Sequence, residues 1–121
     1  LRRIRKRFGG GMRQAGFLAA AGLHALEHHV ESLAEDHAKA RLLAEGMERI
    51  GLAVAGKPET NMVVFEFQDT LAFVRATRAR HLLLNPIGPG RFRAVTHLDV
   101  SASDVEETLE RLRTVIEEIT C

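Results

Sequence analysis

At 121 residues the chain is long enough for one core and short for a self-contained enzyme of most cofactor classes. Its 17 Lys and Arg against 16 Asp and Glu leave a net charge of +1, so bulk electrostatics give no reason to expect nucleic acid or an acidic membrane as a partner. Trp and Tyr are absent, which removes most of the aromatic support for base stacking, and the one cysteine, Cys121, permits no disulfide framework and fits a reducing, cytoplasmic compartment. No apolar run approaches membrane-spanning length and no signal peptide is visible. The chain starts without Met and in mid-helix pattern at Leu1, so it is expected to be the later part of something longer.

In chain order, Arg2, Arg3, Arg5, Lys6 and Arg7 come first, a basic run that reads either as a solvated helix face or as a binding patch. Gly9, Gly10 and Gly11 follow. Three glycines carry a heavy entropic cost, so they mark either a flexible joint between helices or a place where φ is positive or another group comes close. Arg13 and Gln14 then stand at the expected start of a helix, where free N–H groups favour an anion such as phosphate. The pattern matches neither the P-loop nor the dinucleotide fingerprint.

From Met12 to His29 the sequence is apolar on nearly every side, with Phe17, Leu18, Leu23 and Leu26 among alanines and glycines. A helix of that kind must be buried all round, and in so short a chain this calls for another domain or subunit. The Met12–Leu26 segment is therefore the expected interface. Val30, Leu33, His37, Ala40, Ala44 and Met47 then step at three and four residues, an amphipathic helix that Gly51 stops. Within it Lys39 is read on the charged face and His37 as a core histidine.

Leu52 to Ala55 reads as a short strand, residues 56–59 as a turn, and Thr60 to Phe67 as a central strand. A helix over Thr70 to Ala79 is expected with Asp69 as its N-cap. Leu82 to Asn85 and Arg91 to His97 read as two strands joined by a five-residue turn. Ser103-x-x-Glu106 reads as a capping box before a helix whose apolar stripe is Val105, Leu109, Leu112, Ile116 and Ile119. The order helix, helix, strand, strand, helix, strand, strand, helix points to an α+β architecture, a small mostly antiparallel sheet covered by helices.

On the last strand Arg91, Arg93, Val95 and His97 share one face and Phe92, Ala94, Thr96 and Leu98 the other. With the Phe92 face in the core, Arg93 points outward, suited to bidentate capture of a carboxylate; a structural salt bridge or a plain exposed arginine is the alternative. His97 reads as a strand-end hydrogen-bonding residue. His24 and His28 stand four apart on a helix beside His29, a spacing found in helical metal sites, but no third ligand is assured and no metal is expected. No nucleophile triad is recognisable.

Several of these stretches together resemble one family. Arg5-Lys6-x-x-Gly9-Gly10-Gly11-Met12-Arg13-Gln14-Ala15-Gly16, Leu18-Ala19-Ala20-Ala21-Gly22, Leu33-Ala34-Glu35-Asp36-His37, Thr60-Asn61-Met62 and Arg93-Ala94-Val95-Thr96-His97-Leu98-Asp99-Val100 resemble, in order along the whole chain, the C-terminal portion of the low-specificity L-threonine aldolases. These are members of the beta-eliminating lyase family with an aspartate-aminotransferase-like, fold-type I architecture. The resemblance implies residues 1–30 as linking and interface helices from a large domain and residues 31–121 as the C-terminal small domain. It implies a parent that cleaves L-threonine or L-allo-threonine to glycine and acetaldehyde with pyridoxal 5′-phosphate, the cofactor supplying the electron sink. Arg93 matches the arginine that clamps the substrate α-carboxylate, Arg13 one near the cofactor phosphate that reaches a neighbouring subunit's site, and Lys6 a lysine close to the active site. A homo-oligomer, a dimer of dimers, is implied.

The family's Schiff-base lysine motif, Ser-x-Ser-Lys-Gly, is absent from these residues, so the chain by itself is expected to be catalytically inert. Two alternatives stand beside this reading. One is another pyridoxal-phosphate lyase acting on other β-hydroxy amino acids or eliminating a β-substituent. The other is a non-catalytic oligomerisation or binding module.

Overall fold

The computed structural model describes residues 1–120; Cys121, the basis for the redox reading, lies outside them. The chain divides into two compact units, Leu1–Glu31 and the residues from Ser32 onward.

The first unit holds α1 (Arg2–Arg7) and α2 (Gly16–His28). The glycines between them serve as turn and close-approach residues. Gly9 has φ +83°, and a Cβ on Gly10 would stand 2.6 Å from Arg5 Cγ and 3.0 Å from the Arg5 carbonyl oxygen. Gly9 donates to the Lys6 carbonyl and Gly10 to that of Arg5, so carbonyls at the end of α1 are satisfied by the glycine backbone. The second helix begins at Gly16, four residues later than its apolar pattern suggests. Residues 13–15 form a turn in which Gln14 takes φ +47°, a conformation the helix cannot contain. No residue of α2 is buried.

The second unit is a four-stranded antiparallel sheet with helices packed on it. Its elements are α3 (Leu33–Arg49), β1 (Ala53–Val54), β2 (Met62–Glu66), α4 (Thr70–Ala79), β3 (Asn85–Gly88), β4 (Arg91–Val95) and α5 (Ala102–Thr120). The strand order is β1-β2-β4-β3, so the apolar β2 is central as its composition requires. The β2–β4 ladder pairs Met62 with Val95, Val64 with Arg93 and Glu66 with Arg91. The third strand lies three residues further along than expected, at Asn85–Gly88, and its link to β4 is only Pro89 and Gly90. Pro86 reads as a breaker, but on an edge strand with a register shift between Pro86 and Gly88 its missing N–H costs little.

Phe65, Phe73 and Phe92, all fully buried, form the centre of the core. Phe65 and Phe92 stack with centroids 5.5 Å apart, and Phe73 sits 4.8 Å from Phe92 and 5.9 Å from Phe65. Each such ring contributes roughly 1.5–3 kcal/mol by leaving water, before the added term for aromatic pairing. Met47 and Leu43 of α3 and Val105, Leu112 and Val115 of α5 close over them. The two helices approach closely because Gly46 has no side chain: a Cβ there would fall 2.2 Å from Leu109 Cδ1.

Both predicted caps have counterparts. Asp69 accepts from Ala72 N at 2.9 Å and starts α4 at Thr70. On α5 the capping box is Ser101 with Asp104, two residues ahead of Ser103 and Glu106. Asp104 N donates to Ser101 Oγ at 3.2 Å and Ser101 N to Asp104 Oδ2 at 2.8 Å. The Ser101 hydroxyl, then the Ser101 backbone N–H, hold the Asp104 carboxyl below its ordinary range.

Candidate functional site

The alternation read from the sequence places the site. Phe92, Ala94 and Thr96 are buried, while Arg91, Arg93, Val95 and His97 are exposed on the other side. Arg93 lies between β2 and β3, opposite Val64 on one side and Asn85 on the other, so ladders on both flanks fix its Cα. Among the described residues no acidic group pairs with its guanidinium, whereas Arg91 on the same face faces Glu66 at 3.7 Å. A rigidly mounted guanidinium without an internal anion is what capture of a carboxylate requires.

Beside Arg93 the sheet opens. β3 leaves the ladder at Asn85, and residues 81–84 run clear of the end of β4, leaving a groove of about 370 Å³ lined by Leu82, Leu83, Leu84, Arg93 and His97 among others. His81, at the groove's edge, has φ +59° because it closes α4 in the left-handed position, its N–H donating to the Arg78 carbonyl. His97 accepts from Asp99 N at Nδ1 (3.3 Å), with Asp99 Oδ2 3.6 Å away. The strand-end role expected of His97 is thus filled.

Next to the groove, and joined to its lining residues Thr96, His97 and Val100, is a polar cluster that sequence reasoning missed. Thr96 is buried and its hydroxyl donates to the Asp36 carbonyl at 2.7 Å. Thr96 N donates to the Asn61 carbonyl at 3.0 Å, and Asn61 Nδ2 returns a bond to the Thr96 carbonyl at 2.6 Å. Asn61 thereby extends the β2–β4 ladder one residue past its last backbone pair. Lys39, read as a surface residue, has a side chain only 14% exposed and donates to the carbonyls of His97 (3.0 Å) and Val100 (2.8 Å). Its Nζ also stands 2.8 Å from Asp36 Oδ1, an approach too oblique for a hydrogen bond, so the contact is an ion pair. Asp36 is buried although the helix pattern makes it polar surface; Lys39 one turn on is what permits it. The detectable signal was an Asp and a Lys three apart on the side of α3 that carries Ala40.

Lys6 and Arg13 belong to the first unit, Lys6 in the last turn of α1 and Arg13 in the turn before α2, both exposed and without an ion-pair partner among the described residues. The chain's three lysines are Lys6, Lys39 and Lys57. Lys39 donates to two carbonyls and is ion-paired with a carboxylate, and Lys57 is exposed in a turn. Neither has the apolar pocket that activates an amine. The rings of His24, His28 and His29 approach to 4.5–5.2 Å, and among the described residues no group of three or more His, Cys, Asp or Glu is arranged to hold a metal ion.

The model of the beta-eliminating lyase family matches residues 1–70, more than half of the chain, and the chain belongs to that family. It is 41% identical over 115 residues to the low specificity L-threonine aldolase of Escherichia coli K12, covering 92% of this chain and 33% of that protein. The chain thus spans about a third of the length of that relative. Among solved structures, the serine palmitoyltransferase of Sphingomonas wittichii superposes with a TM-score of 0.67 at 20% identity, over 83% of this chain and 28% of that one. A structure of SPT with PLP superposes with a TM-score of 0.61 at 14% identity, over 72% and 26%. At such identities the likeness is one of fold.

Proposed function

We propose that this chain is the C-terminal portion of a pyridoxal-phosphate-dependent lyase that cleaves L-threonine and L-allo-threonine to glycine and acetaldehyde, and that Arg93 binds the substrate α-carboxylate. The observation that carries the reading is the Arg93 guanidinium, mounted between two ladders on the outer sheet face beside a groove and, among the described residues, unpaired with any anion. The likeness to the E. coli aldolase supports the reaction class.

Arg93 would hold the carboxylate by two parallel N–H···O bonds, fixing the amino acid so that its Cα–Cβ bond is presented for cleavage. Arg13, an exposed cation with no ion-pair partner among the described residues, fits a phosphate in charge, and Lys6 would contribute positive potential on the substrate side. When bound, pyridoxal phosphate supplies the electron sink for carbon–carbon cleavage. The lysine that attaches it belongs to a Ser-x-Ser-Lys-Gly motif that these 121 residues do not contain, so they would be inert alone. Burial of α2 against a second copy would make the intact protein a homo-oligomer, here proposed as a cytoplasmic dimer of dimers.

The experiment is an assay of acetaldehyde release from L-threonine and L-allo-threonine by the intact protein carrying this chain and by its Arg93→Met variant. Activity that falls steeply in the variant supports the reading. Activity toward neither substrate, or an unaffected variant, would turn attention to another lyase reaction of the same cofactor.

A further inference from the structure

The cluster at the end of β4 has no role in the chemistry above. It nonetheless draws together three stretches far apart in sequence: Asp36 and Lys39 on α3, Asn61 ahead of β2, and Thr96 to Val100 after β4. We infer that Asp36, Lys39, Asn61 and Thr96 are positioning residues, a clasp that holds Thr96 and the turn over residues 97–100 in place so that His97 and the groove wall stand fixed relative to Arg93. The inference rests on the proposed role of Arg93.

The geometry explains why such a clasp is needed. The regular β2–β4 ladder ends at the Met62–Val95 pair, with one more backbone bond from Thr96 N to the Asn61 carbonyl, and β3 leaves β4 at Arg93, so among the described residues no strand pairs with residues 97–100. With only that bond and the turn bond from Val100 N to the His97 carbonyl to hold it, this stretch would be free to fray. The Asn61 side chain supplies one further bond to the Thr96 carbonyl. The Thr96 hydroxyl ties the same residue to the Asp36 carbonyl on α3. Lys39, oriented by the buried Asp36 carboxylate, then holds the carbonyls of His97 and Val100, the two ends of the turn after the strand. Arg93, Val95 and His97 remain one continuous row on the outer face as a consequence. None of the four clasp residues needs to touch substrate, because they act through the backbone they hold.

The test uses the intact holoenzyme and the KM and kcat for L-threonine in Thr96→Val, Thr96→Ser, Asn61→Asp, Lys39→Met and Arg93→Met variants, with a thermal melt of each. Thr96→Val keeps the shape and deletes the hydroxyl, and is expected to raise KM about tenfold with kcat within about threefold, since small displacements of binding groups weaken ground-state contacts. Thr96→Ser restores the hydroxyl and should restore KM. Asn61→Asp, which replaces the donor at Thr96 by an acceptor, and Lys39→Met should raise KM in the same direction, and either carries the test if Thr96→Val fails to fold. A merely structural role would lower the melting temperature and leave KM unmoved. That result, with KM still raised by Arg93→Met, would overturn the clasp and leave the Arg93 reading standing. If Arg93→Met leaves KM unchanged, both fall.

Discussion

The two units of this chain dispose of their apolar residues in opposite ways. From Ser32 onward, sheet and helices bury Phe65, Phe73, Phe92, Met47 and Leu112 completely, and the outer sheet face is left to Arg91, Arg93 and His97 with a few aliphatics. In the first unit Phe17, Leu18, Leu23 and Leu26 are 59–86% exposed on a helix with no buried residue. A helix that is apolar all round and uncovered belongs against a surface supplied by another molecule or by more chain, whereas the second unit has a core of its own. The difference separates a unit with a core of its own from a helix whose apolar side chains the described residues leave uncovered.

The sharpest way to break the comparison is at the core. Phe92→Ala removes a ring stacked between Phe65 and Phe73 and should cost about 3–5 kcal/mol in urea unfolding, enough to unfold a marginal domain. Gly46→Ala is milder. The new methyl meets Leu109, a half-buried side chain with some freedom to move, and the gain in helix propensity offsets part of the overpacking, so a net loss of about 1–2 kcal/mol is expected by thermal melting. The paired change Leu18→Glu and Leu26→Glu on α2 should leave the unfolding free energy of the second unit within about 0.5 kcal/mol. It should also convert any oligomer to monomer in sedimentation; an oligomer that persists would place the interface elsewhere. The smallest effect belongs to Asp104. Its carboxyl is held below the ordinary range in the folded chain, so its contribution to stability is present above the unfolded pKa and is lost as pH falls through the folded one. Asp104→Asn should flatten that part of the urea midpoint against pH and change little at neutral pH.

Much of the second unit was legible because local signals and burial agree there. Asp69 is an N-cap followed by a helix with one apolar stripe, and β4 alternates strictly between Phe92, Ala94 and Thr96 on one side and Arg91, Arg93 and Val95 on the other. β3 was misplaced because Pro86 is a breaker in general but harmless on an edge. The start of α5 was shifted because Ser101-x-x-Asp104 and Ser103-x-x-Glu106 both fit the capping pattern, and only backbone geometry chooses between them. Asp36 and Lys39 were read as surface because polarity is the sequence cue for exposure, and a buried ion pair contradicts that cue through a contact with residues about sixty positions away. Arg93 was legible as a residue with an outward guanidinium; the groove beside it was not, since it arises where β3 leaves β4.

The most direct measurement compares L-threonine with its amide, which lacks the carboxylate, in the intact protein and its Arg93→Met variant. The variant should lose about 10- to 100-fold in kcat/KM toward L-threonine, roughly 1.4–2.7 kcal/mol, and lose little toward the amide. Equal losses toward both substrates, or none toward L-threonine, would contradict the assignment of Arg93 to the carboxylate.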